Sequence, residues 1–169
     1  MWMNQEVMIP QKAKRRKMNK EEFNRFISGF VAGEGFFYIA KTSKKINGAK
    51  FGIKLDIKDK DILLKIKKHL DCGTINYPTY DGRKQILFLV GKNKDLREKI
   101  IPFFENNSMY PAEKQIIFQK WSLIVDMIYK KEHLIDKNKD LIRLLSNNLN
   151  INGKSNGNQY TKKRGSKCT

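Results

Sequence analysis

Asn19–Gly35 reads NKEEFNRFISGFVAGEG, and the rest of the chain is organised around how this stretch folds. Phe23, Phe26, Ile27, Phe30 and Val31 recur at the spacing of one helical face. Asn19 followed three residues later by Glu22 is a capping-box signature, in which each side chain satisfies a backbone N–H of the other residue. Gly29, Ala32 and Gly33 add a second face almost without side chains, where another helix backbone can approach closely. The helix ends at Glu34, held between Gly33 and Gly35. The negative end of the helix dipole disfavours a carboxylate there, and a bound cation would explain its presence.

The 169 residues carry 35 Lys plus Arg against 17 Asp plus Glu, a formal net charge of +18. At roughly 150 residues per domain, one domain with tails is expected: a basic arm over 1–18, a folded domain over 19–151 and a basic tail over 152–169. The Asn, Gly, Ser and Lys content of that tail predicts disorder. A charge of this size repels itself and implies a polyanionic partner, nucleic acid ahead of an anionic membrane surface. No apolar run approaches the ~20 residues of a membrane span, so no membrane partner is expected. Met1–Met18 lacks the apolar stretch of a secretory signal, and KAKRRK at 12–17 is similar to part of an organellar presequence. Cys72 and Cys168 suit a reducing compartment. With the Lys, Asn and Ile abundance of an AT-rich genome, this reads as an organellar, non-secreted protein of a mitochondrion or chloroplast.

Beyond the first helix, 36–42 (FFYIAKT) is aromatic and β-branched, a turn is expected around Asn47-Gly48, and 50–58 alternates with Phe51, Ile53, Leu55 and Ile57 to one side. Residues 59–70 return to helical spacing. Residues 73–77 and 85–90 make a second hairpin around 78–82, and a helix is expected over 93–104. The order αββαββα, with strands in hairpins, predicts an α+β fold with a mixed, mainly antiparallel sheet and helices on one face. Two further helices follow, over 112–129 with Ile116, Ile117, Trp121, Ile124, Val125 and Ile128 buried, and over 139–149. The Gly-Glu-Gly helix occurs once.

Glu34, beside glycine carbonyls, offers the open all-oxygen coordination that Mg²⁺ prefers; a lone Gly-Glu-Gly also suits an ordinary helix-to-strand turn. Tyr38, Ala40, Thr42 and Lys44 are expected on one face with Lys50, Gly52, Lys54 and Asp56, and a two-stranded ribbon of this kind fits the major groove of DNA. Asn76, Arg83 and Gln85 of the second hairpin could extend that surface, with Lys41 and Lys45 neutralising phosphates. A solvated sheet face would show the same alternation. His69 and His133 have no zinc-ligand spacing to Cys72 or to each other and read as structural.

Residues 27–35, ISGFVAGEG, resemble the LAGLIDADG motif of homing endonucleases in a variant ending Gly-Glu-Gly. Asp61–Leu64, Cys72–Ile75, Lys94–Leu96, Ile101–Phe104, Lys114–Phe118 and Lys131–Leu134 are similar to later landmarks of the same family, so the resemblance spans roughly 19–150. Ala32 stands where many members carry a first Asp, and Glu34 replaces the commoner final Asp.

The resemblance implies that two copies of the motif helix pack side by side through Phe26, Gly29, Phe30, Ala32 and Gly33, giving a homodimer. Each Glu34 and Gly33 carbonyl would then bind metal, Mg²⁺ in catalysis, with Mn²⁺ or Ca²⁺ able to substitute in binding. Asp59 falls where a water-organising polar residue usually stands, and Lys114 resembles a lysine placed near the scissile phosphate. The activity implied is Mg²⁺-dependent cutting of both strands of a long, nearly palindromic DNA site across the minor groove, leaving short 3′ overhangs and spreading an intron. An RNA maturase that assists splicing of its own intron RNA without cutting DNA is the alternative, and a DNA-binding regulator retaining only the fold is a third reading.

Overall fold

The computed structural model describes residues 17–41, 46–110 and 112–149, apart from the side chain of Asn148. The capping box forms as expected: Glu22 N–H donates to Asn19 Oδ1 and Asn19 N–H to Glu22 Oε2, both at 2.9 Å. Helix α1 then runs over Lys20–Glu34 and delivers Glu34 as its last residue. Its buried stripe is narrower than the apolar pattern predicts. Ile27, Ser28 and Val31 are buried, while Phe23, Phe26 and Phe30 lie half-buried along the flank in a ladder of stacked rings 5.8 and 5.4 Å apart. Ser28 is accommodated because its hydroxyl donates to the Asn107 carbonyl at 2.8 Å.

The strands are β1 (Gly35–Lys41), β2 (Ile46–Asp56), β3 (Thr74–Asn76), β4 (Thr79–Tyr80) and β5 (Arg83–Val90). They order as β1-β2-β5-β3, with β4 paired to β5, and every pairing among the described residues is antiparallel. A 3₁₀ turn (Ile57–Asp59) and α2 (Lys60–Leu70) carry the chain from β2 across to β3, and β5 returns between them. Asp81 and Gly82 both take positive φ, +49° and +72°, between the paired Tyr80 and Arg83. Such a two-residue turn matches the natural strand twist.

The expected turn at Asn47-Gly48 is displaced. Both residues lie inside β2, and Gly48, at φ +131°, sits opposite Ala40 where the pairing with β1 slips by a residue. The Asn-Gly pair therefore marks a bulge rather than a turn, and the connection between the strands falls at 42–45, outside the described residues.

Helices α3 (Asn93–Asp95) and α4 (Ile101–Asn106) flank a wider, π-type stretch at Leu96–Ile100. Pro102 stands in the first turn of α4; in a regular α-helix its ring would clash with the carbonyl four residues back, at Glu98, and a widened turn avoids that. Helices α5 (Ala112–Tyr129) and α6 (Asp136–Leu149) complete the described residues, α6 starting three residues before the expected 139. The α5 stripe needs one correction: Phe118 is buried, whereas Ile116 is 48% exposed and Ile117 only half-buried. Phe118 and Trp121 share the core side, and Ile116 lies about 200° round the helix from Phe118.

The core forms between these helices and one sheet face, where Phe37, Ile39, Phe51, Ile53, Ile86, Phe88 and Val90 are buried. Phe37 is its hub, with ring centroids 5.0 to 5.8 Å from Phe51, Phe104, Phe118 and Trp121. The opposite sheet face is left open. Among the described residues no helix is long and apolar enough to cross a membrane.

Candidate active site

The site begins where α1 becomes β1. Gly35 N–H donates to the Val31 carbonyl, closing the helix, and Gly35 already pairs with Ile53 as a strand residue. A Cβ on Gly35 would meet Val31 Cγ1 at 2.6 Å and the Val31 carbonyl oxygen at 2.7 Å. Only glycine allows so abrupt a junction, and it leaves Glu34 exposed at the end of the helix.

Lys114, in the first turn of α5, donates from Nζ to the Gly35 carbonyl at 2.6 Å. Burial pushes the pKa of this half-buried ammonium down, while the nearby Glu34 carboxylate pulls it up. Asp59 stands at the start of α2 without making a side-chain cap, and it shares an open cleft with Glu34, Lys54, Asp56 and Gln85 over Phe30, Leu55 and Ile62. The fold thus collects Glu34, Asp59 and Lys114, separated by up to 80 positions in sequence, around one helix end.

Glu34 and the Gly33 carbonyl form an oxygen-only donor set suited to a hard cation such as Mg²⁺. Among the described residues no three His, Cys, Asp or Glu side chains gather closely enough to hold a metal ion. The pair of Glu34 and Gly33 alone could not complete the shell of such a cation, which takes about six or more oxygen ligands. His69 belongs elsewhere: its Nε2 lies 2.6 Å from Asn24 Oδ1 and its ring packs edge-on against Phe23. The Cys72 thiol is pushed up to about 11 by burial, which keeps it protonated and inert. Cys168 lies outside the described residues.

The open sheet face follows the predicted parity. Tyr38 pairs with Lys50 and Ala40 with Gly48; Lys54 and Asn76 both pair with Leu87; and Asp56 pairs with Gln85. Arg83, two residues before Gln85, shares their side. Thr42, Lys44 and Lys45 fall outside the described residues. Phe36, Thr74, Leu87 and Leu89, at the same parity as Tyr38, Asn76 and Gln85, also belong to this face. Lys41 is engaged elsewhere: its Nζ donates to Ser146 Oγ at 2.8 Å and Asn147 Oδ1 at 2.7 Å on α6.

On α1, Gly29 and Gly33 are exposed, and a Cβ on either would meet no heavy atom within 4 Å. Phe26, Phe30 and Ala32 line this bare strip, half-buried.

A family model described as LAGLIDADG endonuclease matches residues 27–125. A probable intron-encoded endonuclease 2 of Neurospora crassa is 32% identical over 124 residues, 73% of this chain and 26% of its own length. An uncharacterized mitochondrial protein, RF1, of Saccharomyces cerevisiae is 27% identical over 148 residues, 84% of this chain and 30% of its own. The crystal structure of the homing endonuclease I-GzeII in complex with its DNA target superposes with a TM-score of 0.68 at 29% identity, covering 81% of this chain and 45% of that one. The chain thus spans less than half the length of each of these relatives.

Proposed function

The chain belongs to the LAGLIDADG endonuclease family, and from that premise we propose that it is a homing endonuclease that cuts both strands of a long, nearly palindromic DNA site. The observation that carries this reading is the meeting of Glu34, Asp59 and Lys114 at one helix end, beside an open face bearing Lys50, Lys54 and Arg83.

Glu34 and the Gly33 carbonyl would hold Mg²⁺, which when bound supplies an activated water and neutralises charge on the phosphate. The chain's residues do the rest. The Lys114 ammonium, fixed by the Gly35 carbonyl, places positive charge where the pentavalent phosphate develops its negative charge. Asp59 accepts a hydrogen bond from the attacking water and orients it. The sheet face enters the major groove, its lysines and arginine positioning the duplex and its polar side chains touching base edges. The Gly29 and Gly33 strip packs against the same strip of a second copy, bringing two Glu34 carboxylates together over the two strands. The intron-encoded and mitochondrial names of relatives support an intron-borne gene and an organellar setting.

The test is to select DNA sites from a randomised duplex pool by cleavage in Mg²⁺. A double-strand break that requires Mg²⁺ and is lost in Glu34→Gln, while that variant still binds the selected site, is the expected result. Equal cutting by wild type and Glu34→Gln removes Glu34 from the mechanism. Nucleic-acid binding without a break under any Mg²⁺ condition replaces the endonuclease with the intron-RNA maturase reading, or with a regulator if DNA alone is bound.

A further inference from the structure

We infer that the groove at the end of α1 remote from Glu34 binds single-stranded RNA, with one nucleotide seated among Lys20, Asn24, His69, Lys99, Phe103 and Asn106. It is a second nucleic-acid surface and stands apart from the endonuclease reading above.

The groove opens where the first turn of α1 meets the end of α2 and the chain around Pro102, with a volume of about 350 Å³. Small-ligand sites run from roughly 300 to 1,000 Å³, so the groove has room for a nucleotide and none for a duplex. The 15-residue α1 separates it from Glu34 by about 21 Å. DNA held at the Glu34 end therefore leaves it accessible.

The hydrogen-bonding groups here are of both kinds. Asn24 Oδ1 accepts from His69 Nε2–H at 2.6 Å, which leaves the Asn24 amide N–H groups without a partner among the described residues. Asn106 Nδ2 donates to the Pro102 carbonyl and Asn107 Nδ2 to the Phe103 carbonyl, each at 2.8 Å, so both Oδ1 atoms remain to accept. A bare phosphate offers acceptors alone and leaves those oxygens unmet. A nucleotide adds donors, from its base edge and from the 2′-hydroxyl that distinguishes RNA from DNA. Phe103 and Pro102 supply an apolar wall for the base to lie against.

Cations surround these amides. The His69 pKa is lowered by burial and then by the Lys20 ammonium, which puts the Lys20 charge beside a neutral ring. Lys99 Nζ donates to the carboxylate and the carbonyl of Asp71 and keeps a third N–H. Neighbouring carboxylates are engaged locally: Glu21 pairs with Arg25, and Glu22 closes the capping box. Lys65 lies one turn before His69 on the same side of α2. In the sequence, Lys12, Lys14, Arg15, Arg16 and Lys17 lead directly into α1. A free mononucleotide needs few cations, whereas a row of this length suits the successive phosphates of a strand.

The test is binding of the full chain to a randomised single-stranded RNA pool, to the same pool as DNA and to mixed ribonucleoside monophosphates, with and without saturating duplex DNA. RNA should bind beside the duplex and exceed single-stranded DNA by roughly two- to tenfold, the worth of one net hydrogen bond. Lys20→Glu should weaken RNA binding by about tenfold or more. Asn106→Ala should erase the preference over DNA, and both variants should cut duplex as wild type does. Displacement of the RNA by duplex refutes the separate groove. RNA affinity untouched by Lys20→Glu assigns the binding to the terminal segments and refutes it as well. Equal affinity for RNA and DNA strands, or for monophosphates and the RNA pool, refutes the RNA assignment. Cutting without RNA binding overturns this inference alone, and RNA binding without cutting sustains it while overturning the endonuclease reading alone.

Discussion

Lys114 Nζ lies 2.6 Å from the carbonyl oxygen of Gly35, the residue that follows Glu34. An ammonium on α5 is thereby fastened to the backbone beside the acid at the end of α1. Replacing it with methionine should lower cleavage by about 10²- to 10³-fold, the usual cost of losing one preorganised charge at a reacting phosphate. DNA affinity should change far less. Single-turnover cutting and equilibrium binding on the same duplex separate the two.

Burial holds the Lys114 pKa below its ordinary value, so the side chain releases its proton at a lower pH than a free lysine. Cleavage that needs the ammonium should then decline on the alkaline side before pH reaches about 10.4, the unperturbed lysine value. Lys114→Arg stays charged throughout and should lose that limb, at a reduced absolute rate. An identical alkaline limb in Lys114→Arg would assign the titration to another group.

Gly29 within α1 and Gly35 at the start of β1 should respond in opposite directions. Gly29 has open space where a Cβ would sit, so Gly29→Ala should stabilise an isolated chain by about 0.5–1 kcal/mol through helix propensity. Gly35→Ala drives a methyl into Val31 and should destabilise by about 1–3 kcal/mol. Gly29→Leu with Gly33→Leu should fold yet fail to self-associate. Denaturant titration and sedimentation velocity check these outcomes.

Phe51 is fully buried between Phe37, Phe88 and Phe104. Phe51→Ala should cost about 3–5 kcal/mol. Leu144, 62% exposed on α6, should tolerate serine within about 0.5 kcal/mol. Similar losses at the two positions would mean that the core is not where the fold places it.

Binding should weaken steeply with salt, because neutralised phosphates release counterions. Lys50→Ala and Lys54→Ala, measured in a Glu34→Gln background, should each reduce the slope of log K against log salt by about two units, one for each copy in the homodimer. Lys131→Ala, at the turn leading from α5 to α6, should leave it unchanged.

Much of this architecture was legible because it is periodic. Side-chain parity assigned Tyr38, Lys50, Lys54 and Asp56 to one face before any pairing was known, and the capping box at Asn19 placed the start of α1. The family resemblance supplied Lys114 and Asp59, which no local pattern singles out. What stayed hidden depends on distant partners. Asn47-Gly48 has the composition of a turn, and only its pairing with β1 shows a bulge. Ile116 and Phe118 are equally apolar, and the core faces Phe118 because Phe37 and Phe104 wait there.

Lys41 has a bearing on redesign. Its moorings on Ser146 and Asn147 tie the far end of β1 to the last described helix, more than a hundred residues along the chain. The ribbon is therefore no interchangeable cassette: grafting a new one for a new recognition sequence without matching α6 would leave the blade loose in its handle.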